Sequence, residues 1–202
     1  MSATVAAILL AAGESRRMGQ SKALLPWLGT TLIAYQAEQL IRAGAQPIAV
    51  VLGAEAKRVA VPLRHFGELS LVSNPRYSLG KSTSIEAGVR ALPSRIDAVL
   101  LLAVDQPRRA ETLRRLIGAH LESHSLVTIP VHQGRRGHPP VISSTLLPAL
   151  STLPEEQQGL REMIRRYRPE TQEIPMESPE VLLDLNTPDD YHQALAYFQS
   201  LP

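Results

Sequence analysis

The sequence predicts a three-layer α/β/α sandwich, an α/β fold built on a mostly parallel sheet. Five apolar, β-rich runs alternate with segments that have helical spacing or good helix formers. The runs are continuous rather than alternating, as is typical of parallel strands that helices cover on both faces. With 202 residues, 44% of them hydrophobic and 20% charged, the chain is expected to fold as a single domain, residues 1–202.

The individual elements follow from the same patterning. The five apolar runs are the predicted strands, at residues 5–10, 47–52, 69–72, 98–104 and 126–131. The segments between them are the predicted helices, at residues 32–43, 55–63, 84–92 and 111–122. Glycines and prolines then predict a loop or hairpin at 132–140 that reaches the sheet edge. The remaining predictions are short helices at 146–150 and 159–167, strands at 170–175 and 181–185, and a closing helix at 188–198.

Composition excludes several classes of function. The sequence has no cysteine, which excludes disulfides, thiolate metal sites and a cysteine nucleophile. A formal net charge of +2 is too small to indicate a nucleic-acid partner. No apolar run approaches the roughly 20 residues that cross a bilayer, and no basic region precedes the first run as in a signal peptide. We therefore expect a cytoplasmic protein with neither a membrane nor a nucleic acid as partner.

The most informative segment follows the first predicted strand. That strand runs into a turn of small residues, Leu10, Ala11, Ala12 and Gly13. Such a turn lets backbone N–H groups approach phosphate oxygens without obstruction by side chains. Arg16 and Lys22 follow within ten residues and supply cationic charge for a polyphosphate. The segment is thus predicted to bind phosphate groups.

Residues 10–26 also resemble a known signature. In the nucleotidyltransferases related to molybdenum cofactor cytidylyltransferase and guanylyltransferase, Leu-Ala-Ala/Gly-Gly is followed by Arg-Met-Gly and then by Lys. The resemblance implies a Rossmann-like sheet of the nucleotide-diphospho-sugar transferase (GT-A-like) type. It also implies that residues 10–13 bind the nucleotide, with Arg16 and Lys22 as catalytic phosphate ligands. The Ala11-Ala12-Gly13 form of the turn favours a cytidine nucleotide.

Asp105 is the first candidate metal ligand. It ends the apolar run 98–104, and a carboxylate at the carboxyl end of a buried strand faces the ligand crevice of an open α/β sheet. Mg²⁺ is bound by one or two carboxylates together with phosphate oxygens. The Asp105-Gln106-Pro107 sequence resembles the metal-binding motif of the same family, which implies a catalytic role. The alternative is an aspartate that caps the helix predicted to begin near residue 110.

A second oxygen ligand is expected from residues 183–190. Asp184 and Asn186 are two apart, so on a strand both side chains would face the same side. The stretch resembles the Asp-Ile-Asp-Thr-Pro-Glu-Asp motif near the end of family members, which implies that one of these residues binds the metal. Thr187 and Pro188 are also a good helix start, as N-cap and first helical residue. The two interpretations are compatible.

Residues 80–84, Gly-Lys-Ser-Thr-Ser, resemble the Gly-x-Ser-x-Ser element of the cytidylyltransferase relatives. That resemblance implies that Gly80, Ser82 and Ser84 bind the base or the ribose. The alternative is helix capping by Ser82 or Thr83.

Residues 134–140 resemble the family's Gly-Arg-Arg-Gly-Asn/His-Pro loop. The resemblance implies that Arg135, Arg136 and His138 bind the phosphate of an acceptor. The sequence departs from the family near residues 156–161. There Gly159, Leu160 and Arg161 match the cofactor cytidylyltransferases, but Gln157 replaces their aspartate.

The implied reaction is metal-assisted nucleotidyl transfer, in which an acceptor phosphate attacks the α-phosphorus of an NTP and pyrophosphate leaves. The implied cofactor is Mg²⁺, and the implied substrates are CTP and a phosphorylated pterin-like acceptor, molybdopterin or its molybdenum form. A molybdoenzyme or its maturation factor is the implied protein partner. Two alternatives stay open. One is a nucleotidyltransferase for a sugar phosphate or another small phosphate, and the other is a non-catalytic nucleotide- or cofactor-binding chaperone for a molybdoenzyme.

Overall fold

One mixed sheet runs through the centre of the structure, a computed structural model that describes residues 3–15, 18–123, 125–154 and 159–201. The strands of the chain are β1 (Val5–Ala11), β2 (Pro26–Trp27), β3 (Thr30–Thr31), β4 (Ile48–Leu52), β5 (Leu69–Ser73), β6 (Ala98–Ala103), β7 (Val127–His132), β8 (Arg135–Arg136), β9 (Val141–Ser143) and β10 (Thr171–Pro175). The sheet has the order β10-β7-β9-β6-β1-β4-β5, with β8 paired to β7, while β2 and β3 form a separate hairpin.

Most neighbouring strands of the sheet are parallel. The central strand β1 pairs in parallel with β4 on one side and β6 on the other. The pairs β4–β5 and β7–β10 are parallel as well. Among the described strands of this sheet, β9, inserted between β6 and β7, and the short β8 run antiparallel to their partners. The carboxyl ends of β1, β4, β6 and β7 therefore lie at one edge of the sheet.

Helices cover both faces of the sheet. They are α1 (Leu32–Arg42), α2 (Ala56–Val59), α3 (Lys81–Ala91), α4 (Ala110–Glu122), α5 (Leu147–Leu150), α6 (Gly159–Arg166) and α7 (Pro188–Gln199). Helices α1, α2, α4 and α7 contribute to one buried apolar cluster, and α3, α5 and α6 to a second. Within the described ranges, no helix is both long and apolar enough to cross a membrane.

Strand β1 is apolar at every position because it packs against helices on both faces of the sheet. Val5, Ala7, Leu9 and Ala11 belong to the first cluster, whereas Ala6, Ile8 and Leu10 belong to the second. Successive side chains of a strand point to opposite faces, so a strand with helices on both sides must be apolar at every position. The predicted three-layer α/β/α sandwich with a mostly parallel sheet is confirmed.

The predicted hairpin after β7 is also present. Strands β7 and β8 are joined by Gln133 and Gly134, which have φ angles of 49° and 75°. Two central residues with positive φ form the turn that matches the twist of a tight antiparallel hairpin. The two-residue loop places the tip of the hairpin beyond the carboxyl edge of the sheet.

Two predictions from the patterning are wrong. Residues 181–185 do not form a strand, because a 3₁₀ helix covers Pro179–Leu182. The carbonyl oxygens of Val181 and Leu183 accept hydrogen bonds from the Arg108 side chain, and that of Val181 also accepts from the His138 N–H, so they do not pair with a neighbouring strand. The helix predicted at 55–63 breaks into α2 and a 3₁₀ helix at Val61–Leu63, because Pro62 cannot continue the hydrogen-bond pattern. Strand β9 is not predicted, since three residues carry too little pattern.

Two glycine substitutions test how tightly the hairpin packs. A Cβ on Gly137 would lie 2.4 Å from the carbonyl oxygen of Val181, whereas a Cβ on Gly118, inside α4, would meet nothing within 4 Å. Gly137→Ala is therefore expected to lower the free energy of unfolding by about 1–3 kcal/mol through overpacking. Gly118→Ala is expected to raise it by up to about 1 kcal/mol, because alanine favours a helix interior. Urea unfolding measures both, and equal effects of the two variants would contradict this packing.

Candidate active site

A cavity of about 270 Å³ opens at the carboxyl edge of the sheet, between the ends of β1 and β6. Six residues singled out in the sequence line it: Leu10, Ala11, Ala12, Gly13, Gly80 and Ser84. Lys22 and Asp105 line it as well. The turn after β1, the end of β6 and the start of α3 thus meet at one concave surface, as expected for a ligand site of an open α/β sheet.

Lys22 lies at the centre of a three-residue contact. Its ammonium Nζ is 2.7 Å from Asp105 Oδ2 and 3.2 Å from Asn186 Oδ1. The side chains of Lys22 and Asp105 are only 12% and 27% exposed. These residues are 83 and 164 positions from Lys22 in the sequence. Folding therefore assembles one cation, one carboxylate and one amide oxygen from three separate segments.

The position of Asp105 follows from the end of β6. The Val104 N–H donates to the Leu10 carbonyl, so the parallel pairing continues up to the residue before Asp105. Helix α4 begins at Ala110 with Arg109 as its N-cap and no side-chain cap. The alternative that Asp105 caps this helix is therefore wrong. The carboxylate of Asp105 points toward Lys22.

The segment carrying Asn186 is held by the backbone of Asp105 and by its own helix. The Leu185 N–H donates to the Asp105 carbonyl at 2.8 Å. Thr187 and Asp190 form a capping box at the start of α7, and the Asn186 N–H also donates to the Asp190 carboxylate. The predicted N-cap role of Thr187 is confirmed.

Asp184 and Asn186 take different partners. The carboxylate Oδ1 of Asp184 accepts a hydrogen bond from Gln106 Nε2 at 2.7 Å, whereas the Asn186 amide oxygen contacts Lys22. The premise that both face one side of a strand is wrong, because no strand forms there. Of the two candidates, it is Asn186 that shares a contact with Asp105.

The start of α3 forms the opposite wall of the cavity. Gly80 is the N-cap residue of α3 and has no side-chain cap, so capping by Ser82 or Thr83 is wrong. The Thr83 hydroxyl instead lies 2.9 Å from the Gly80 carbonyl oxygen. Ser84 lines the cavity while its hydroxyl accepts from Asn74 Nδ2. The Ser82 hydroxyl is buried, with no hydrogen-bond partner in the described part of the chain, and Ser82 does not line the cavity.

Arg108 is a structural residue of the site that sequence reasoning missed. Its guanidinium is fully buried and donates to the carbonyl oxygens of Pro107, His138, Val181 and Leu183, at 2.8 to 3.3 Å. Burial lowers the pKa of the guanidinium to about 10, so it stays charged at neutral pH. Nothing in the local sequence distinguishes it from the exposed arginines, because its partners lie far along the chain.

The three residues predicted to bind an acceptor lie in two different surroundings. Arg135 and Arg136 are exposed on β8, and Arg136 Nε donates to Glu173 Oε1 on β10 at 2.7 Å. Neither arginine lines the cavity. His138 is partly buried farther along the loop, where its N–H donates to the Val181 carbonyl at 2.8 Å.

The His138 imidazole is neutral at physiological pH. Burial lowers its pKa to about 4, against the opposing effect of Asp184. The cations Lys81, Arg108 and Arg161 lower it further. These neighbours put His138 within electrostatic reach of the start of α3 and of Asp184. Two other residues of the sequence prediction, Arg16 and Gln157, lie outside the described residues.

The chemistry of the donor set suits a hard divalent cation. Asp105 and Asn186 offer one carboxylate and one amide oxygen, the donor types that Mg²⁺ prefers. Across the described ranges, no group of three or more His, Cys, Asp or Glu side chains forms a metal site. An ion held here would thus take its remaining ligands from phosphate oxygens and water, which is the usual arrangement for Mg²⁺ with a nucleotide.

Comparisons with known proteins agree on the family. Residues 7–171 match the family model described as the MobA-like NTP transferase domain. The chain is 34% identical to nicotine blue oxidoreductase of Paenarthrobacter nicotinovorans, over 80% of this chain and 82% of that protein. It is 27% identical to molybdenum cofactor cytidylyltransferase of Escherichia coli, over 91% and 92% of the two chains.

Solved structures share the architecture. A nucleotidyl transferase from Methanothermobacter superposes with a TM-score of 0.82 at 26% identity, covering 97% of this chain and 98% of that one. The manganese complex of Rv0371c from Mycobacterium tuberculosis superposes with a TM-score of 0.79 at 24% identity, covering 98% and 100%. The expected nucleotide-diphospho-sugar transferase (GT-A-like) type of fold is confirmed.

The burial of His138 predicts a pH-dependent stability. Between pH 6.5 and about 4 the unfolded chain binds a proton on His138 that the folded chain does not. The free energy of unfolding should therefore fall as the pH falls through this window, by about 3 kcal/mol in total. His138→Gln should remove most of that slope. A part should remain, because burial also lowers the pKa of His120.

Urea unfolding between pH 4 and 7 measures this dependence. His65→Gln is the matched control, because it removes an exposed imidazole and should keep the slope of the original protein. A slope that His138→Gln leaves unchanged would contradict the assignment.

Proposed function

Since the chain belongs to the MobA-like NTP transferase family, we propose that it transfers a nucleoside monophosphate from CTP to a phosphorylated pterin-like acceptor and releases pyrophosphate. One observation carries this proposal. Lys22 contacts both Asp105 and Asn186, and Lys22 and Asp105 line the same cavity as the small residues at the end of β1 and just after it. A carboxylate, an amide oxygen and a lysine beside a turn of small residues suit nucleotidyl transfer, which depends on a divalent ion and cationic charge at the phosphates.

The residues of the cavity divide the work. Residues 10–13 are proposed to bind phosphate oxygens; Leu10 and Ala11 end the paired strand β1, so the backbone N–H groups that approach the phosphates are those of the turn after it, where the residues are small. Lys22 places a point charge on the pyrophosphate that leaves, and Arg16 is proposed to assist it. Gly80 and Ser84 are proposed to form the wall that holds the base or ribose. Ser82 does not line the cavity, and its buried hydroxyl is proposed to support this wall. Holding both substrates in line supplies much of the acceleration.

Asp105 and Asn186 are the proposed ligands of Mg²⁺. Asp184, which accepts a hydrogen bond from Gln106, is proposed to lie near the ion without binding it directly. When bound, the ion neutralises charge on the phosphate oxygens. The manganese complex of Rv0371c supports a divalent ion in a protein of this fold. The resemblance of residues 10–22 and the name of the Escherichia coli relative support CTP and the molybdenum cofactor as substrates.

The acceptor is proposed to bind between the cavity and the hairpin. His138 lies within electrostatic reach of Lys81 and Asp184 and can contact an acceptor as a neutral imidazole. Arg135 and Arg136 extend from the same hairpin and are proposed to attract an anionic acceptor from solvent. A molybdoenzyme or its maturation factor is the proposed recipient of the product.

The redox name of one relative gives a second candidate, an oxidoreductase acting on a small heterocycle. Hydride transfer requires no pair of oxygen ligands beside a lysine, so the contact of Lys22, Asp105 and Asn186 favours nucleotidyl transfer. The two reactions are distinguished by their products: transfer releases pyrophosphate, whereas reduction consumes a reduced nicotinamide nucleotide. A non-catalytic binding module would do neither.

Nucleotide preference is the first test. A ligand that binds only the folded state raises the melting temperature, so CTP with Mg²⁺ should stabilise the protein more than GTP, ATP or UTP at equal concentration. Thermal-shift measurements with each nucleotide, with and without Mg²⁺, give the ranking. A preference for GTP would overturn the base assignment and leave the reaction class in place.

Substitution of Asp105 tests the reaction itself. Asp105→Asn keeps the shape of the side chain and removes its charge, so pyrophosphate release from CTP and molybdopterin should fall by about 100-fold or more. Asp189→Asn is the matched control, because Asp189 is exposed in the first turn of α7 and should retain turnover. Unchanged turnover in Asp105→Asn would remove Asp105 from the mechanism.

A further inference from the structure

The two oxygen atoms proposed as metal ligands already contact a cation of the protein itself. Lys22 Nζ lies 2.7 Å from Asp105 Oδ2 and 3.2 Å from Asn186 Oδ1. Lys22 begins a 3₁₀ helix, and its backbone N–H donates to the Ser15 hydroxyl at 3.0 Å. The main chain of Lys22 is thus held in place, and its ammonium lies beside both oxygens proposed to bind the metal.

An ammonium and a divalent ion cannot share this place. Mg²⁺ binds oxygen at about 2.0–2.1 Å, so an ion bound to Asp105 Oδ2 and Asn186 Oδ1 together would need the space between them, where the Lys22 ammonium now contacts both. Two cations held by one carboxylate also repel each other strongly in a partly buried site. Binding of the ion at Asp105 and Asn186 therefore requires Lys22 to leave.

The charges of the free cavity also disfavour a bare ion. The single charge of Asp105 is balanced by Lys22. The nearby carboxylate of Asp184 accepts from Gln106, and that of Asp190 caps α7. Lys81 lines the same cavity, and among the described residues it makes no ion pair. The charged side chains that line the cavity, Lys22, Lys81 and Asp105, carry one net positive charge, so the lining favours an anion over a cation.

A nucleoside triphosphate reverses this balance. Phosphate oxygens bound at residues 10–13 offer Lys22 a new partner within the cavity that these residues share with it. When Lys22 moves onto the phosphates, Asp105 Oδ2 and Asn186 Oδ1 become available. The nucleotide also supplies the anionic oxygens that complete the coordination of the ion.

We propose that Lys22 is the resident cation of the metal site in the free protein, and that nucleotide binding displaces it. The site then takes the metal together with the triphosphate rather than the metal alone. This inference rests on the proposed function, because it assigns Asp105 and Asn186 to the metal. It adds a second position for Lys22, and it makes metal and nucleotide binding mutually dependent.

Mn²⁺ binding to the nucleotide-free protein tests the proposal. The probe is Mn²⁺ alone, followed by the loss of the electron paramagnetic resonance signal of the free ion. Lys22→Met should raise the affinity for Mn²⁺ by roughly tenfold or more, because the competing cation is gone. Lys22→Arg keeps a cation at this position and should bind Mn²⁺ as weakly as the original protein. Melting temperatures confirm that each variant is folded.

Lys81→Met is the matched control. It removes the same unit charge from the same cavity, but Lys81 does not contact either proposed metal ligand. Its Mn²⁺ affinity should change by less than about threefold, the scale of a screened electrostatic effect. Addition of CTP should strengthen Mn²⁺ binding to the original protein, and most of this gain should be lost in Lys22→Met, where the site is already open.

Two results would overturn the inference: equal Mn²⁺ affinity of Lys22→Met and the original protein, or an equal gain in Lys22→Met and Lys81→Met. Asp105→Asn separates this failure from a failure of the proposed function. If Asp105→Asn loses Mn²⁺ binding in the presence of CTP while Lys22→Met shows no gain, only the inference fails. If Asp105→Asn binds Mn²⁺ normally with and without CTP, the proposed metal site fails as well.

Discussion

The site depends on one buried guanidinium. Arg108 binds carbonyl oxygens from the hairpin loop at His138 and from the 3₁₀ segment at Val181 and Leu183, and it follows Asp105 by three residues. A buried charge without partners is costly, and here the backbone carbonyls supply them. The planar guanidinium of arginine carries five N–H donors in a fixed arrangement, against three on the lysine ammonium, so it can serve more carbonyls spread around it. Three loops that share no strand pairing are thereby held at fixed distances.

Two glutamines of α1 stabilise the same loop from the other side. Gln36 donates to the Gln106 carbonyl at 2.6 Å and accepts from the Arg108 N–H at 3.2 Å. Gln39 accepts from the Ala110 N–H at 3.0 Å and so satisfies the start of α4. Both side chains are buried within an apolar helix face. Buried hydrogen bonds of this kind limit the conformations of the segment between Asp105 and α4.

The sequence predicts the parts of the fold that depend on local patterning. The strand β1 and the position of Asp105 follow from apolar runs and from the geometry of strand ends, and both are found as expected. The strand predicted at 181–185 fails, because the apolar Val181 and Leu183 direct their carbonyls to a side chain 73 and 75 residues away. No local pattern records such a partner. The contact between Lys22 and Asn186 joins residues that are even farther apart in the sequence. The sequence therefore identified both as candidate site residues, but it could not predict that their side chains are in contact.

The order of these residues along the chain has a consequence for folding during synthesis. Residues 10–13, Lys22 and Asp105 leave the ribosome well before Val181, Leu183 and Asn186. Domains generally begin to fold while their later part is still being made, and contacts of high sequence separation form slowly. Until residues 181–186 emerge, the guanidinium of Arg108 lacks the carbonyls of Val181 and Leu183, and Lys22 lacks its contact with Asn186. Translation of this one short segment thus supplies the missing partners of both cations.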